Sequence, residues 1–239
     1  DFNIVPNRIE EVLYHTDQPH GDFSFFLINL LCEQASNDGH IVAFNGDGPD
    51  EMLNGFSHNE LYLKENHTET LSYQKYFNLI SFMPDDLKLK LFNGDFYSKS
   101  SLGYEFFEEM MKPFKSLEVN DQIAAYESVY LAQGNNLIKT DRMGAGKSIE
   151  GRSPYLDHRI TELMAKINND QKFSKLYGKY FLKKYGLKFF DENQMFKKKS
   201  MPTMPIGEWI KGPLKDWAIT SLEELDQSRY NVQECLNLF

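Results

Sequence analysis

His40-Ile41-Val42-Ala43-Phe44 is short, apolar and rich in β-forming residues, with Gly39 before it and Asn45-Gly46 after it. Such a run reads as a buried parallel strand. The preceding stretch, Phe23 to Ser36, is apolar on most faces and predicts a buried helix that Asn37-Asp38-Gly39 ends. The following stretch is Asn45-Gly46-Asp47-Gly48-Pro49-Asp50-Glu51-Met52-Leu53-Asn54-Gly55-Phe56. In open parallel sheets ligands bind beyond the carboxyl ends of strands, which is where this turn lies. Gly46 and Gly48 permit unusual backbone angles and turn successive N–H groups into one anion-binding concavity. Asp47, Asp50 and Glu51 would repel phosphate by themselves. Magnesium resolves that conflict, because it is held by one or two carboxylates plus phosphate oxygens. The pattern therefore suggests a metal–nucleotide site, with an ordinary acidic surface turn as the alternative.

Working outward, Phe2-Asn3-Ile4-Val5 reads as the tail of a strand, and Pro6 as the turn into a helix over Asn7 to His15 carrying Ile9, Val12 and Leu13 on one face. Asp17-Gln18-Pro19-His20-Gly21-Asp22 reads as a loop, with Asp22 or Ser24 capping the next helix. Beyond residue 60 the strand signal fades. Helices are predicted over Tyr73–Met83, Leu87–Phe92, Ser101–Met111, Ala124–Ile138 and Arg159–Ile167, the last with Ile160, Leu163, Met164 and Ile167 on one face. Lys175 to Lys188 mixes basic residues with aromatics that face inward, and Lys197 to Pro202 reads as a positively charged loop. The fold class is α/β, mainly helical.

Composition narrows the function. The 239 residues carry 35 acidic and 26 basic side chains, a net charge of −9, which leaves no surplus cation for a nucleic-acid backbone. Aromatics at 14% exclude a disordered chain. No apolar run reaches the roughly 18 residues of a membrane span. Two cysteines, Cys32 and Cys235, supply neither a disulfide framework nor a four-thiolate zinc site, so a reducing, cytoplasmic setting is expected. The histidines show no metal-ligand spacing. Cys32 reads as core and His158 as a structural hydrogen-bonding residue.

Residues 45–56 resemble the S-G-D-G-x-D-E-x-x-x-G-Y stretch in the synthetase domain of glutamine-dependent asparagine synthetases. Further blocks follow the order of that family. Residues 17–22 are similar to its D-E-P-x-x-D stretch. Lys139-Thr140-Asp141-Arg142-Met143 and the run from Ser148 to Arg159 are similar to K-V-D-R-M and S-L-E-x-R-x-P-F-L-D-H-R. Lys199, with Pro205 to Leu214, resembles the family's lysine loop and its P-x-G-E-W ending. The resemblance implies a sheet of the adenine nucleotide α-hydrolase (PP-loop ATPase) type. Residues 1–60 would be a remnant of that parallel sheet with its acidic loop, and residues 61–239 a helical region. Together, 1–239 would form the C-terminal part of a synthetase domain.

The implied activity is that of an ATP-dependent, amide-forming ligase. A substrate carboxylate, aspartate in the parent family, attacks the α-phosphorus of ATP to give an acyl-adenylate and magnesium pyrophosphate. Ammonia derived from glutamine then displaces AMP. By this match Asp50 is the magnesium ligand, beside the backbone of Gly46 and Gly48. Asp47 orients or deprotonates the incoming amine. Lys199 is the point charge on the phosphates; in the sequence alone it belongs to an ordinary lysine-rich loop. Asp50 also suits the start of a helix, and Glu51 suits that role better than metal binding. Asp141, Arg142, Glu150, Arg152, Asp157 and Arg159 read as one structural ion-pair network. The implied partners are small-molecule substrates, an N-terminal glutaminase domain and a second copy in a homodimer, with no nucleic acid or membrane.

The sequence also departs from the family pattern. The phosphate-binding S-G-G-x-D-S loop is absent from these 239 residues, as is the glutaminase cysteine, so the chain by itself is expected to show little ligase turnover. Asn45 stands where Ser is usual. Pro49 removes one N–H from the concavity. Gly134-Asn135-Asn136 replaces an acidic pair, and Ser200-Met201-Pro202-Thr203 replaces a Gly-Phe loop. These changes open two alternatives: amidation of a carboxylate other than aspartate, and a degenerate, non-catalytic domain.

Overall fold

A computed structural model describes residues 2–17, 20–66, 70–100, 102–197 and 204–238. In chain order they form α1 (Val5–Thr16), α2 (Ser24–Asn37), β1 (Val42–Phe44), α3 (Pro49–Met52), α4 (Ser57–Glu65), α5 (Tyr73–Ile80), α6 (Asp85–Leu91), α7 (Gly94–Ser100) and α8 (Gly103–Met111). Next come α9 (Val119–Tyr126), a π-helical stretch over Glu127–Leu137, α10 (Ile138–Ala145), β2 (Glu150–Arg152), α11 (His158–Ala165), α12 (Asn169–Lys172), β3 (Phe173–Ser174) and β4 (Tyr177–Gly178). The described chain closes with α13 (Tyr180–Gly186), α14 (Glu192–Met195), α15 (Ile206–Lys211), α16 (Lys215–Glu223) and α17 (Val232–Asn237). The fold is mainly helical with a small parallel pair of strands. Among the described residues no helix is long and apolar enough to cross a membrane.

The chain divides into two compact units. One gathers residues 12–71 and 111–203 and holds the sheet and the acidic turn. Its core is built on Phe25, Phe26, Leu53, Tyr62, Ile123, Met143 and Ile149. β1 and β2 pair in parallel, Val42 with Glu150, Ala43 with Gly151 and Phe44 with Arg152. A parallel strand at this position is therefore present, but it is shorter and less buried than its composition suggests. Ile41 and Phe44 are each 73% exposed, because a three-residue strand with one partner covers only its centre. β2 was not expected from sequence. Glu150, Gly151 and Arg152 are exposed, and backbone pairing rather than apolar burial places the strand in the sheet.

Other expectations are corrected in the same unit. α2 buries Phe25, Phe26 and Asn29 but exposes Leu31 and leaves Cys32 half-buried, because it packs one face on α10. The cap position is Phe23, which makes no side-chain cap bond, and Asp22 just before it accepts from the Ser24 N–H at 2.8 Å in a local turn. The helix expected over 124–138 is α9 followed by the π stretch. The π stretch contains Gly134-Asn135-Asn136, which are poor α-formers. On α11 Met164 is buried while Leu163 is exposed, so the apolar stripe is narrower than its spacing implies. His158 is exposed at the start of that helix. Residues 173–178 form a hairpin, with Lys175, Leu176 and Lys179 in left-handed backbone angles.

The second unit gathers residues 1–11, 72–110 and 204–239, with Val5, Tyr76, Leu91, Phe107, Leu214 and Cys235 in its core. Phe2–Ile4 is a 3₁₀ turn leading into α1, not the end of a strand. Pro6 stands in the first turn of α1, where a missing N–H breaks no helical bond. Phe92, Phe96 and Tyr230 stack edge to face, and an antiparallel bridge joins Phe92 to Tyr230.

Candidate functional site

The acidic turn leaves β1 with one further ladder bond, the Asn45 N–H to the Arg152 carbonyl at 2.9 Å. Asn45 Oδ1 then accepts from the Asp47 N–H at 3.2 Å, which tightens the turn. Gly48 takes φ +113°, a region side chains rarely adopt, and a Cβ there would collide with Leu156. α3 starts at Pro49, as helices tolerate, and carries Asp50 and Glu51 in its first turn.

The three acids of the turn have separate surroundings. Asp47 Oδ2 accepts from Thr140 Oγ1 on α10 at 3.1 Å. Burial, the largest influence, pushes its carboxyl above the ordinary value, and the charge of Asp50 adds to this. Thr140 and Lys139 pull the other way. Asp50 Oδ1 lies 2.8 Å from Lys179 Nζ at the start of α13. Gly55 packs against that pair so closely that a Cβ would strike both partners. Glu51 points inward, is almost fully buried, and accepts from Asn136 Nδ2 of the π stretch at 2.7 Å. It therefore serves the local packing of α3.

Lys139 reaches from α10 to Asp22 Oδ2 at 3.1 Å and to Ser24 Oγ at 2.8 Å. Burial raises the Asp22 carboxyl, but the hydrogen bonds from Ser24 and the charge of Lys139 outweigh it and hold the group below its ordinary value. The loop before α2 is thus tied to the helix that faces Asp47. A cavity of about 480 Å³ opens beyond the carboxyl ends of β1 and β2, lined by Asn45, Leu137, Thr140, Asp141, Gly151 and Ser153.

Of the residues singled out in the sequence, Gly46, Asp47, Gly48 and Asp50 lie together on this turn. Lys199 lies outside the described residues. The expected ion-pair network is instead a set of separate surface pairs: Glu150 with Arg152 at 2.7 Å, Asp157 with Arg159 at 2.7 Å, and Arg142 with Asp17. Their side chains are largely exposed and each pair is local, so no shared burial draws them into one cluster. Lys179 is a site neighbour that sequence reading misses, since nothing local announces a left-handed lysine. Thr140 and Lys139 sit inside the K-T-D-R-M block, where Thr140 reaches Asp47 and Lys139 reaches Asp22 and Ser24.

Asp47 and Asp50 offer hard oxygen donors on a glycine-rich turn, which suits magnesium. Among the described residues no three His, Cys, Asp or Glu side chains are placed to hold a metal together. A cation held by one or two such carboxylates takes its remaining ligands from phosphate or water.

Comparison with known proteins adds the family. A family model described as asparagine synthase matches residues 3–236. The chain is 23% identical over 257 aligned residues to asparagine synthetase [glutamine-hydrolyzing] 1 of Bacillus subtilis (strain 168), a match covering 94% of this chain and 40% of that protein. The chain therefore spans about two-fifths of the length of this relative.

Proposed function

The chain belongs to the asparagine synthase family, and from that premise we propose that it carries the acidic-turn portion of an ATP-dependent, amide-forming ligase built on an adenine nucleotide α-hydrolase-like sheet. A carboxylate oxygen of the substrate attacks the α-phosphorus of ATP, and the bond to the leaving pyrophosphate breaks. Ammonia, supplied from glutamine, then attacks the acyl carbon. The bond to AMP breaks and an amide remains, asparagine where the substrate is aspartate.

The observation that carries this reading is the division of labour on one turn. Asp47 is half-buried with a raised pKa, and Asp50 is paired with a lysine. Two carboxylates with environments that separate them take different roles. Asp47 accepts a proton from the attacking nitrogen, and Thr140 holds its other oxygen in place. Asp50 would hold magnesium, which when bound neutralises charge on the departing pyrophosphate. Lys179 keeps the Asp50 carboxylate oriented, and the backbone at Gly46 and Gly48 faces the phosphates. Lys199 is proposed as the cation on the α-phosphate.

A second reading keeps the chemistry and changes the acid. Asn136, in the stretch that replaces the family's acidic pair, is engaged with Glu51. That uncharged stretch favours a substrate other than aspartate. Pyrophosphate release by the intact protein, measured with ATP, magnesium, ammonia and a panel of carboxylic acids, tests both readings. Turnover with aspartate supports the first, and turnover with another acid alone supports the second. Absence of turnover with every acid, unchanged by Asp50→Asn, leaves a non-catalytic domain.

A further inference from the structure

We propose that α13 and the turn after it form a contact surface for an anionic lipid bilayer. Residues 175–190 hold five lysines, Lys175, Lys179, Lys183, Lys184 and Lys188, and no Asp, Glu or Arg, in a chain whose net charge is −9. Six aromatic residues are interleaved with them. These aromatics do not all face inward, as their mixture with lysine suggests. Tyr180 is buried, whereas Phe181, Lys184, Tyr185 and Lys188, at helical spacing, are exposed. The chain then turns, with the Phe189 and Phe190 N–H groups donating to the Gly186 carbonyl at 2.9 and 3.0 Å. Leu187, Phe189 and Phe190 are exposed on that turn, Phe189 at 68%. Exposed apolar side chains gathered in this way mark an interaction surface.

The lysines decide the partner. Lys179 is engaged by Asp50, and Lys183 donates to the Met195 carbonyl at 2.8 Å. Lys175, Lys184 and Lys188 have no carboxylate partner among the described residues. Each lies over a ring instead: Lys175 and Lys184 at 5.9 and 5.6 Å from the centre of Tyr180, Lys188 at 4.6 Å from that of Tyr185. Of the acids that follow, Asp191 caps α14 by accepting from the Gln194 N–H at 2.8 Å, and Glu192 stands in the first turn of that helix. Three exposed cations without a counter-charge call for an anionic partner. A nucleic-acid strand stacks its bases on aromatic faces. Tyr185, covered by Lys188 and set at 58° to Phe189, presents no such platform. Protein interfaces draw on Arg and are depleted of Lys, the reverse of this surface. A bilayer uses both features at once. Phe and Leu enter the boundary between headgroups and acyl chains, while lysines on apolar stems stay level with the lipid phosphates and carboxylates. Such a contact needs no helix that crosses the membrane.

Flotation of the intact protein with vesicles tests the surface without any reading of the ligase reaction. Binding is expected to vesicles of phosphatidylcholine with about 30% phosphatidylserine at about 0.1 M salt, and not to phosphatidylcholine alone. It should fall away at about 1 M salt. Each lysine at an anionic surface contributes about fivefold, so Lys175→Gln, Lys184→Gln and Lys188→Gln together should lower the partition coefficient about 100-fold. Phe189→Ser with Phe190→Ser, both at exposed positions where folding is not at stake, should lower it about tenfold. The fluorescence of Phe189→Trp should shift to the blue on the anionic vesicles. Equal binding to both kinds of vesicle, no binding, or binding untouched by the three lysine substitutions overturns the proposal. So does a single-stranded oligonucleotide or polyglutamate that binds through the same lysines and displaces the vesicles, or self-association that Phe189→Ser with Phe190→Ser abolishes.

Discussion

Glu127 opens the π stretch, is fully buried, and accepts from two donors on α4: His58 Nε2 at 2.5 Å and Asn59 Nδ2 at 2.6 Å. This one carboxylate fastens the stretch that supplies Asn136 and Leu137 to the helix that follows the acidic turn. Glu127→Gln keeps the volume and removes the charge. One end of the new amide is an NH₂ group, which faces a donor where an acceptor stood. Losing a charge-assisted hydrogen bond costs about 1.5–3 kcal/mol, and the mismatched donor adds about 1–3 kcal/mol. The expected loss is about 3–5 kcal/mol, a large share of the roughly 5–15 kcal/mol that holds a domain folded. Urea unfolding followed by far-UV circular dichroism measures it as a lower midpoint at unchanged slope. His58→Gln removes one donor, and the double variant should show coupling of about 0.5–3 kcal/mol. Amide exchange over residues 127–137 should rise in parallel. A Glu127→Gln protein within about 0.5 kcal/mol of the parent, which is the range of an ordinary surface change, would refute the reasoning.

Lys172→Met strands Asp121 beside apolar walls and should cost about 2 kcal/mol, reduced from the fully buried case because Asp121 is partly exposed. Lys172→Met combined with Asp121→Asn should recover part of that loss in the same unfolding assay. Asp47 has a folded pKa raised above its ordinary 3.8, so its favourable contribution is complete below pH 3.8 and is lost as pH rises through the folded value. Asp47→Asn should therefore raise the melting temperature at pH 7 and give no gain at pH 3, and an equal gain at both would oppose the assigned burial. Gly178→Ala drives a Cβ into the backbone carbonyl of Asn54, beside the acidic turn. A loss of about 1–3 kcal/mol is expected from such overpacking, read as a lower urea midpoint.

The strand and acidic turn were legible because their signal is local. An apolar run, two glycines and a proline at a helix start all act within a dozen residues. β2 was illegible because Glu150-Gly151-Arg152 enters the sheet through its backbone, which leaves no apolar trace. Lys179 escaped notice because its left-handed backbone and its reach to Asp50 depend on a hairpin packed on a distant segment. α2 looked buried all round because composition reports how apolar a helix is, not how many neighbours it finds. The family motif located Asp47 and Asp50, but only the structure separates them, one half-buried against Thr140 and the other held by Lys179.

That separation is tested most directly by splitting the reaction. Carboxylate-dependent exchange of labelled pyrophosphate into ATP by the intact protein reports the first step alone, and amide formation from ammonia reports both steps. Asp50→Asn is expected to abolish exchange and amide formation together, whereas Asp47→Asn should retain exchange and lose amide formation. Exchange that survives Asp50→Asn, or disappears in Asp47→Asn, would contradict the assignment of one carboxylate to the metal and the other to the nucleophile.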